Sequence, residues 1–213
     1  MTSKPFTSAL VAASDFNAGR FVEQWSAGAF DLIVAVDGGF AHLQGVGCDP
    51  DVAIGDFDSL GRVPACQTVI EHPTHKDKSD LELALDYVAA RGTERVVVFG
   101  ALGGRLDHSV GNLQLCASFA ERGMDVELVD AGCSVSVLVG PGTLSMPAMD
   151  GGTVSVFSAV DESRGVTERG MEYPLDDATL TNRTTWGLSN ELIGLPASVT
   201  VEEGTLFIFH PIA

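Results

Sequence analysis

Hydrophobic and polar positions in the first 130 residues keep two alternating rhythms. Short apolar runs at Ser8–Ala12, Leu32–Val36, Val52–Ile54, Arg95–Phe99 and Asp125–Val129 have the length and β-branched content of buried strands, and Thr68–Glu71 is a weaker candidate of the same kind. Between them the spacing turns helical. Gly19–Ala27 reads as a short helix, and Phe40–Leu43 as the start of another. Ser79 opens a third: its hydroxyl can cap, Glu82 stands at the capping-box position, and Leu81, Leu85 and Val88 recur at helical spacing. Arg91-Gly92 closes that helix with a basic last turn and a C′ glycine. A fourth helix runs from about Asp107 to Arg122-Gly123. Strands separated by helices of this length predict right-handed crossovers and a mainly parallel sheet.

After Asp130 the helical rhythm stops. Ser134–Val139, Leu144–Met146, Thr153–Ala159, Ala178–Asn182, Ser198–Val201 and Thr205–Phe209 are short β-rich runs broken by Gly and Pro. The expected organisation is therefore an α/β domain with a mainly parallel sheet over 1–130, followed by an all-β sandwich or small barrel over 131–213.

Composition narrows the partners. The 213 residues are 45% apolar, enough for a sizeable core. A formal charge of −17, from 29 acidic and 12 basic residues, argues against nucleic acid or an anionic membrane. An acidic protein that binds a polyphosphate needs a metal ion between its own carboxylates and the ligand. Cys48, Cys66, Cys116 and Cys133 are widely spaced with no CxxC, which favours reduced thiols over a zinc site or disulfides. The apolar stretch Ser8–Ala13 is too short to span a membrane and follows no basic region, so the cytoplasm is the expected location.

Chemistry concentrates where strands are expected to end. Val52-Ala53-Ile54 runs into Gly55-Asp56-Phe57-Asp58-Ser59, and the alternation of extended chain aims Asp56 and Asp58 the same way. Their repulsion is offset by a divalent cation, by protonation of one member, or by open solvent; a solvated acidic turn is the plain alternative. Asp37-Gly38-Gly39 follows another strand, and Gly100–His108 a third. Ligands of open α/β sheets bind at such carboxyl ends, so these segments suggest one shared site in a metal-dependent enzyme acting on phosphates. Lys76, Asp77 and Lys78 precede the helix opened by Ser79. Cations there oppose the helix dipole, and either a nearby phosphate or simple solvation accounts for them. Asp80, in the first turn, serves the dipole or completes a metal site. Gly100–His108 lacks the Walker A spacing. Within it, Arg105 suits bidentate phosphate contact, whereas Asp107 is either a nucleotide ligand or only a helix cap. His108 is a nucleotide contact or a structural residue, and Asn112 shares its helix face.

Taken in order, Asp37-Gly38-Gly39, Gly55–Ser59, Lys76–Asp80, Gly103–His108 with Asn112, Gly170–Leu175, Leu180 and Gly187-Leu188-Ser189-Asn190-Glu191 resemble thiamine pyrophosphokinase over nearly the whole chain. The resemblance implies transfer of the pyrophosphoryl group of ATP, with Mg2+, to the hydroxyl of thiamine, releasing AMP. It also implies a homodimer whose active site is shared across the subunit interface, with a nucleotide-binding first domain and a thiamine-binding sandwich. On that basis Asp56, Asp58 and Asp80 correspond to the metal and catalytic carboxylates, joined by Arg105. Asp37, Gly38, Lys76, Asp77, Ser79, Arg105, Asp107, His108 and Asn112 belong to the nucleotide site. Leu188, Ser189 and Asn190 belong to the thiamine side. Trp186 is the candidate to stack on the pyrimidine, with a core tryptophan as the alternative. Lys76 departs from members that carry Gln there. A metal-dependent nucleotide hydrolase, or a non-catalytic thiamine or nucleotide binder, remains possible on the same scaffold.

Overall fold

In the computed structural model, which describes residues 4–212, the chain forms two compact units. The first comprises Met1–Leu115 with Gly123–Ala131, the second Cys116–Arg122 with Gly132–Ala213.

The first unit is built on six strands: β1 (Thr7–Val11), β2 (Leu32–Val36), β3 (Val52–Gly55), β4 (Thr68–Glu71), β5 (Arg95–Phe99) and β6 (Asp125–Val129). They lie in the order β6-β5-β1-β2-β3-β4, and every pairing is parallel. Parallel strands covered on both faces need apolar side chains on both, which is why β2, β3 and β5 do not alternate. Ala9, Leu10, Val11, Val34, Ala35, Ala53, Ile54, Val96, Val98 and Phe99 are all fully buried. The register is level at the carboxyl ends: Val11 pairs with both Ala35 and Phe99, and Ile54 with Val36 and Ile70. The residues that follow β1, β2, β3 and β5 therefore emerge along one edge. Strand order reverses between β1 and β5, so the switch point of the sheet lies there.

Four helices connect these strands: α1 (Ala18–Ser26), α2 (Gly39–Gly45), α3 (Asp80–Ala89) and α4 (Leu106–Glu121). Phe21 of α1 packs against Phe16, Phe30 and Phe99 at centroid separations of 5.4–5.8 Å. The Ser79 cap forms as expected, its Oγ accepting the Glu82 N–H at 3.2 Å. The Glu82 carboxylate turns instead to Lys78, at 3.3 Å.

The second unit holds two four-stranded antiparallel sheets. One has the order β12-β9-β14-β7, the other β11-β10-β13-β8. Their strands are β7 (Ser134–Val139), β8 (Gly142–Met146), β9 (Asp150–Ser158), β10 (Glu162–Arg169), β11 (Ala178–Thr181), β12 (Asn190–Ile193), β13 (Ala197–Val201) and β14 (Thr205–His210). Val154, Val156, Leu206 and Ile208 from the first sheet share one buried cluster with Val166, Leu180, Val199 and Val201 from the second, the mark of a sandwich. The last turn of α4 belongs to this unit: Glu121 accepts the Thr205 hydroxyl at 2.8 Å.

Two strands had no counterpart in the sequence pattern. β10 reads Glu-Ser-Arg-Gly-Val-Thr-Glu-Arg, and a register shift between Ser163 and Val166 interrupts its alternation. β12 is only four residues long, beside a turn.

Candidate active site and ligand cavity

Asp37 is the first residue past β2. Its N–H donates to Ile54 O at 2.8 Å, fixing the exit of β2 to the exit of β3. It adopts φ +47°, a conformation that Asp tolerates better than most side chains. Its Oδ2 accepts the Ser59 hydroxyl at 2.8 Å, while Oδ1 is buried without a hydrogen-bond partner. The glycines here serve close approach. A Cβ on Gly55 would lie 2.9 Å from Asp37 Cα, and one on Gly39 only 1.8 Å from Val11 O.

Phe57 sits at φ +56° with its ring 2% exposed. A bulky residue in the left-handed region is strained, and burial of the ring holds it there. The consequence is a tight reversal that puts Asp56 and Asp58 on the same side, with the Asp58 N–H donating to Asp56 Oδ1 at 3.2 Å. Asp37, Asp56 and Asp58 each offer a carboxylate oxygen, all within 4.8 Å of one another. Asp80 joins this group through an ammonium: Lys76 Nζ lies 3.0 Å from Asp56 and 3.1 Å from Asp80. The Lys76 hydrogen bond holds the Asp56 carboxyl below its usual range. Burial pushes Asp80 up despite the same cation. Burial pulls the Lys76 ammonium down, but its bonds to Asp56 and Asp80 leave it raised on balance.

The closest trio is thus Asp37, Asp56 and Asp58, with Asp80 behind Lys76. Lys78 is engaged along α3, 2.6 Å from Asp86 and 3.3 Å from Glu82, and Asp77 is exposed. α4 begins at Leu106, which places Asp107 in the first turn rather than at the cap. Arg105 points its fork at the Asp107 carboxylate, at 3.2 Å from Nε and 2.5 Å from a terminal nitrogen, and both residues are exposed. His108 is exposed as well. Asn112 donates to Ala101 O at 2.7 Å and so braces the loop after β5.

That loop is laced to the exit of β1, a segment the sequence pattern did not single out. Ser14 N–H donates to Gly100 O at 2.8 Å, and a Cβ on Gly103 would lie 2.1 Å from Asp15 Oδ2. The available signal was position: Ser14 and Asp15 are the polar residues just beyond the central strand.

The second unit carries a cavity of ≈ 580 Å³ whose lining includes Glu168, Tyr173, Trp186, Leu188, Ser189 and Asn190. Trp186 is 64% exposed and Tyr173 66%, so Trp186 is no core residue. Gly187 accepts the Val156 N–H at 2.8 Å, and a Cβ there would meet Val156 O at 2.3 Å. Ser189, at φ +60°, donates its N–H to Ser155 Oγ at 3.0 Å. Asn190 is fully engaged. Its Nδ2 donates to Glu168 Oε2 (2.6 Å) and Tyr173 O (2.8 Å), and its Oδ1 accepts from Tyr173 N (3.0 Å) and Glu191 N (2.9 Å). Glu168 is 0% exposed, its Oε1 has no hydrogen-bond partner, and burial pushes its carboxyl up against the opposing Asn190 bond. The sequence reading missed Glu168. Its inward position two residues after Val166 was the signal, hidden among the charges of β10.

Elsewhere, burial pushes the Cys48 and Cys116 thiols up to about 11 and about 12, as expected of unreactive cysteines. Among the described residues no helix is long and apolar enough to cross a membrane.

Comparison with known proteins gives concordant results. Residues 24–128 match the model of the thiamin pyrophosphokinase catalytic domain, and 143–206 that of the thiamin pyrophosphokinase vitamin B1 binding domain. The thiamine pyrophosphokinase of Bacillus subtilis is 28% identical over 186 residues, 84% of this chain and 86% of the relative. Its crystal structure superposes with a TM-score of 0.80 at 26% identity, covering 96% of this chain and 98% of that one. The thiamin pyrophosphokinase of Geobacillus thermodenitrificans gives 0.79 at 29% identity, over 98% of each chain. At 14% identity the Candida albicans thiamin pyrophosphokinase shares the fold, with a TM-score of 0.76 over 98% of this chain and 90% of that one. With both domain models matched in sequence order and relatives aligned over nearly its full length, this chain belongs to the thiamine pyrophosphokinase family.

Proposed function

We infer that this enzyme transfers the pyrophosphoryl group of ATP to the hydroxyl of thiamine, giving thiamine diphosphate and AMP. The observation that carries the inference is the trio Asp37, Asp56 and Asp58, with carboxylate oxygens within 4.8 Å at the carboxyl ends of β2 and β3. An all-carboxylate donor set suits a hard cation such as Mg2+, and the buried, unpartnered Oδ1 of Asp37 fits a ligand atom. When bound, the cation supplies charge neutralisation at the phosphate oxygens.

The chain's own residues do the rest by positioning and electrostatics, which dominate phosphoryl-type transfer. Lys76 holds Asp56 and Asp80 together and offsets their repulsion. Arg105, on the exposed rim of α4, exchanges Asp107 for a phosphate. Ser79 and Asn112 fix the start of α3 and the loop after β5, against which the nucleotide lies. In the second unit the cavity lining combines Trp186 and Tyr173 with the acids Glu168 and Glu172 and contains no basic side chain. That combination suits a cationic aromatic ligand, which thiamine is.

The test is a product assay with ATP, magnesium and thiamine. AMP and thiamine diphosphate are expected in equal amounts, formed only with thiamine present and lost on chelation. AMP or ADP released without thiamine indicates a hydrolase, and thiamine binding without turnover indicates a sensor.

We also infer a homodimer. Its support is the exposure of Tyr173, Trp186, Leu188, Ile193 and Leu195, an apolar set of the kind that subunit contacts cover. Sedimentation equilibrium is expected to give twice the chain mass; a monomer at assay concentrations would remove the shared-site reading.

A further inference from the structure

We propose that Glu168 is the specificity-determining residue of the cavity, accepting a hydrogen bond from the exocyclic amine of the substrate's aminopyrimidine. The proposal rests on the thiamine reading of the site and adds to it the group that distinguishes this ring from its analogues.

Asn190 belongs to the motif carried by the sequence, yet its two N–H donors and both acceptor positions are taken by protein partners. A saturated amide has nothing left for a ligand. What it does is hold Glu168, fixing Oε2 at 2.6 Å and leaving Oε1 as the acceptor without a partner. A buried carboxyl with an unmet oxygen destabilises a fold by the desolvation of that atom, unless a ligand completes it. Glu168 is fully buried, with its N–H donating to Leu175 O at 3.1 Å, and it also lines the cavity. Glu172, the other acid of the lining, is exposed and meets solvent freely. The buried acceptor therefore calls for a donor on the ligand. Of thiamine's groups, the thiazolium carries charge but no N–H, whereas the aminopyrimidine carries an N–H pair beside a flat ring that fits between aromatic walls.

The recognition predicts a polarity. An analogue in which the amine is replaced by oxygen puts acceptor against acceptor, and sites built on a buried hydrogen bond reject such a change strongly. Glu168→Gln inverts the arrangement: the amide oxygen can take the Asn190 bond, leaving an NH2 toward the ligand.

The experiment is calorimetric titration of the wild-type protein and Glu168→Gln with thiamine and with its 4′-oxo analogue, with thermal unfolding measured on the same samples. The wild type is expected to favour thiamine by about 10- to 100-fold. Glu168→Gln is expected to lose affinity for thiamine by a similar factor and to hold or gain affinity for the oxo analogue. A purely structural role would weaken both ligands alike, and that result would overturn the proposal. Should Glu168→Gln not fold, the wild-type comparison still decides: equal affinity for the two ligands overturns the inference while leaving the thiamine reading intact. A wild-type protein that binds neither ligand removes both.

Discussion

Asp58→Asn is expected to lower thiamine-dependent AMP formation by about 100- to 1,000-fold while leaving the unfolding midpoint unchanged. Asp58 is exposed, and its backbone N–H, which the substitution leaves in place, makes the bond to Asp56. What the substitution removes is one negative oxygen of the trio, converting a charged ligand to a neutral one where the site must concentrate charge. The same change at Asp56 is less informative, because it also strips a partner from Lys76 and leaves the half-buried Asp80 to hold that cation alone. The readout for Asp58→Asn is the rate across a magnesium titration. A curve shifted to higher magnesium with a reduced plateau agrees with ligation. Near-normal rates at saturating magnesium would remove Asp58 from the metal site.

The second large effect is on stability. Gly39→Ala is expected to destabilise the protein by about 3 kcal/mol in urea unfolding. Two effects compete. Gly39 opens α2, and helix propensity alone favours Ala over Gly by about 1 kcal/mol. The added Cβ, however, would stand 1.8 Å from Val11 O and 2.5 Å from its carbonyl carbon. Those atoms are backbone of the central strand, paired on both sides, and have nowhere to go. Packing should win. Because Asp37 is held by the same turn, the variant is also expected to lose activity beyond its loss of folded protein. An unchanged or raised midpoint would mean that α2 can shift freely from β1, and the account of this glycine would fail.

Legibility in the sequence followed locality. The helix at Ser79 was readable because cap, first turn and apolar spacing are set within a few residues. β2 and β5 were readable because strands buried on both faces read as near-continuous apolar runs, Leu32–Val36 and Val96–Phe99. β10 was not, since its inward residues are separated by charges and a register shift, and its pairing with β11 and β13 stabilises it from a distance. Glu168 was invisible for the same reason: a buried acid and an exposed one are the same letter.

The sequence by itself determined the order of elements, the carboxylates at the strand ends, and the family, because each is written in short contiguous patterns. Only the tertiary structure decided the company those residues keep. It brought Asp37 within reach of Asp56 and Asp58, set Lys76 between Asp56 and Asp80, occupied every hydrogen-bonding position of Asn190, and left one oxygen of Glu168 unmet. These arrangements depend on strand register and on distances between residues far apart in the chain. No local propensity encodes such distances; they follow from how the strands close together on burial.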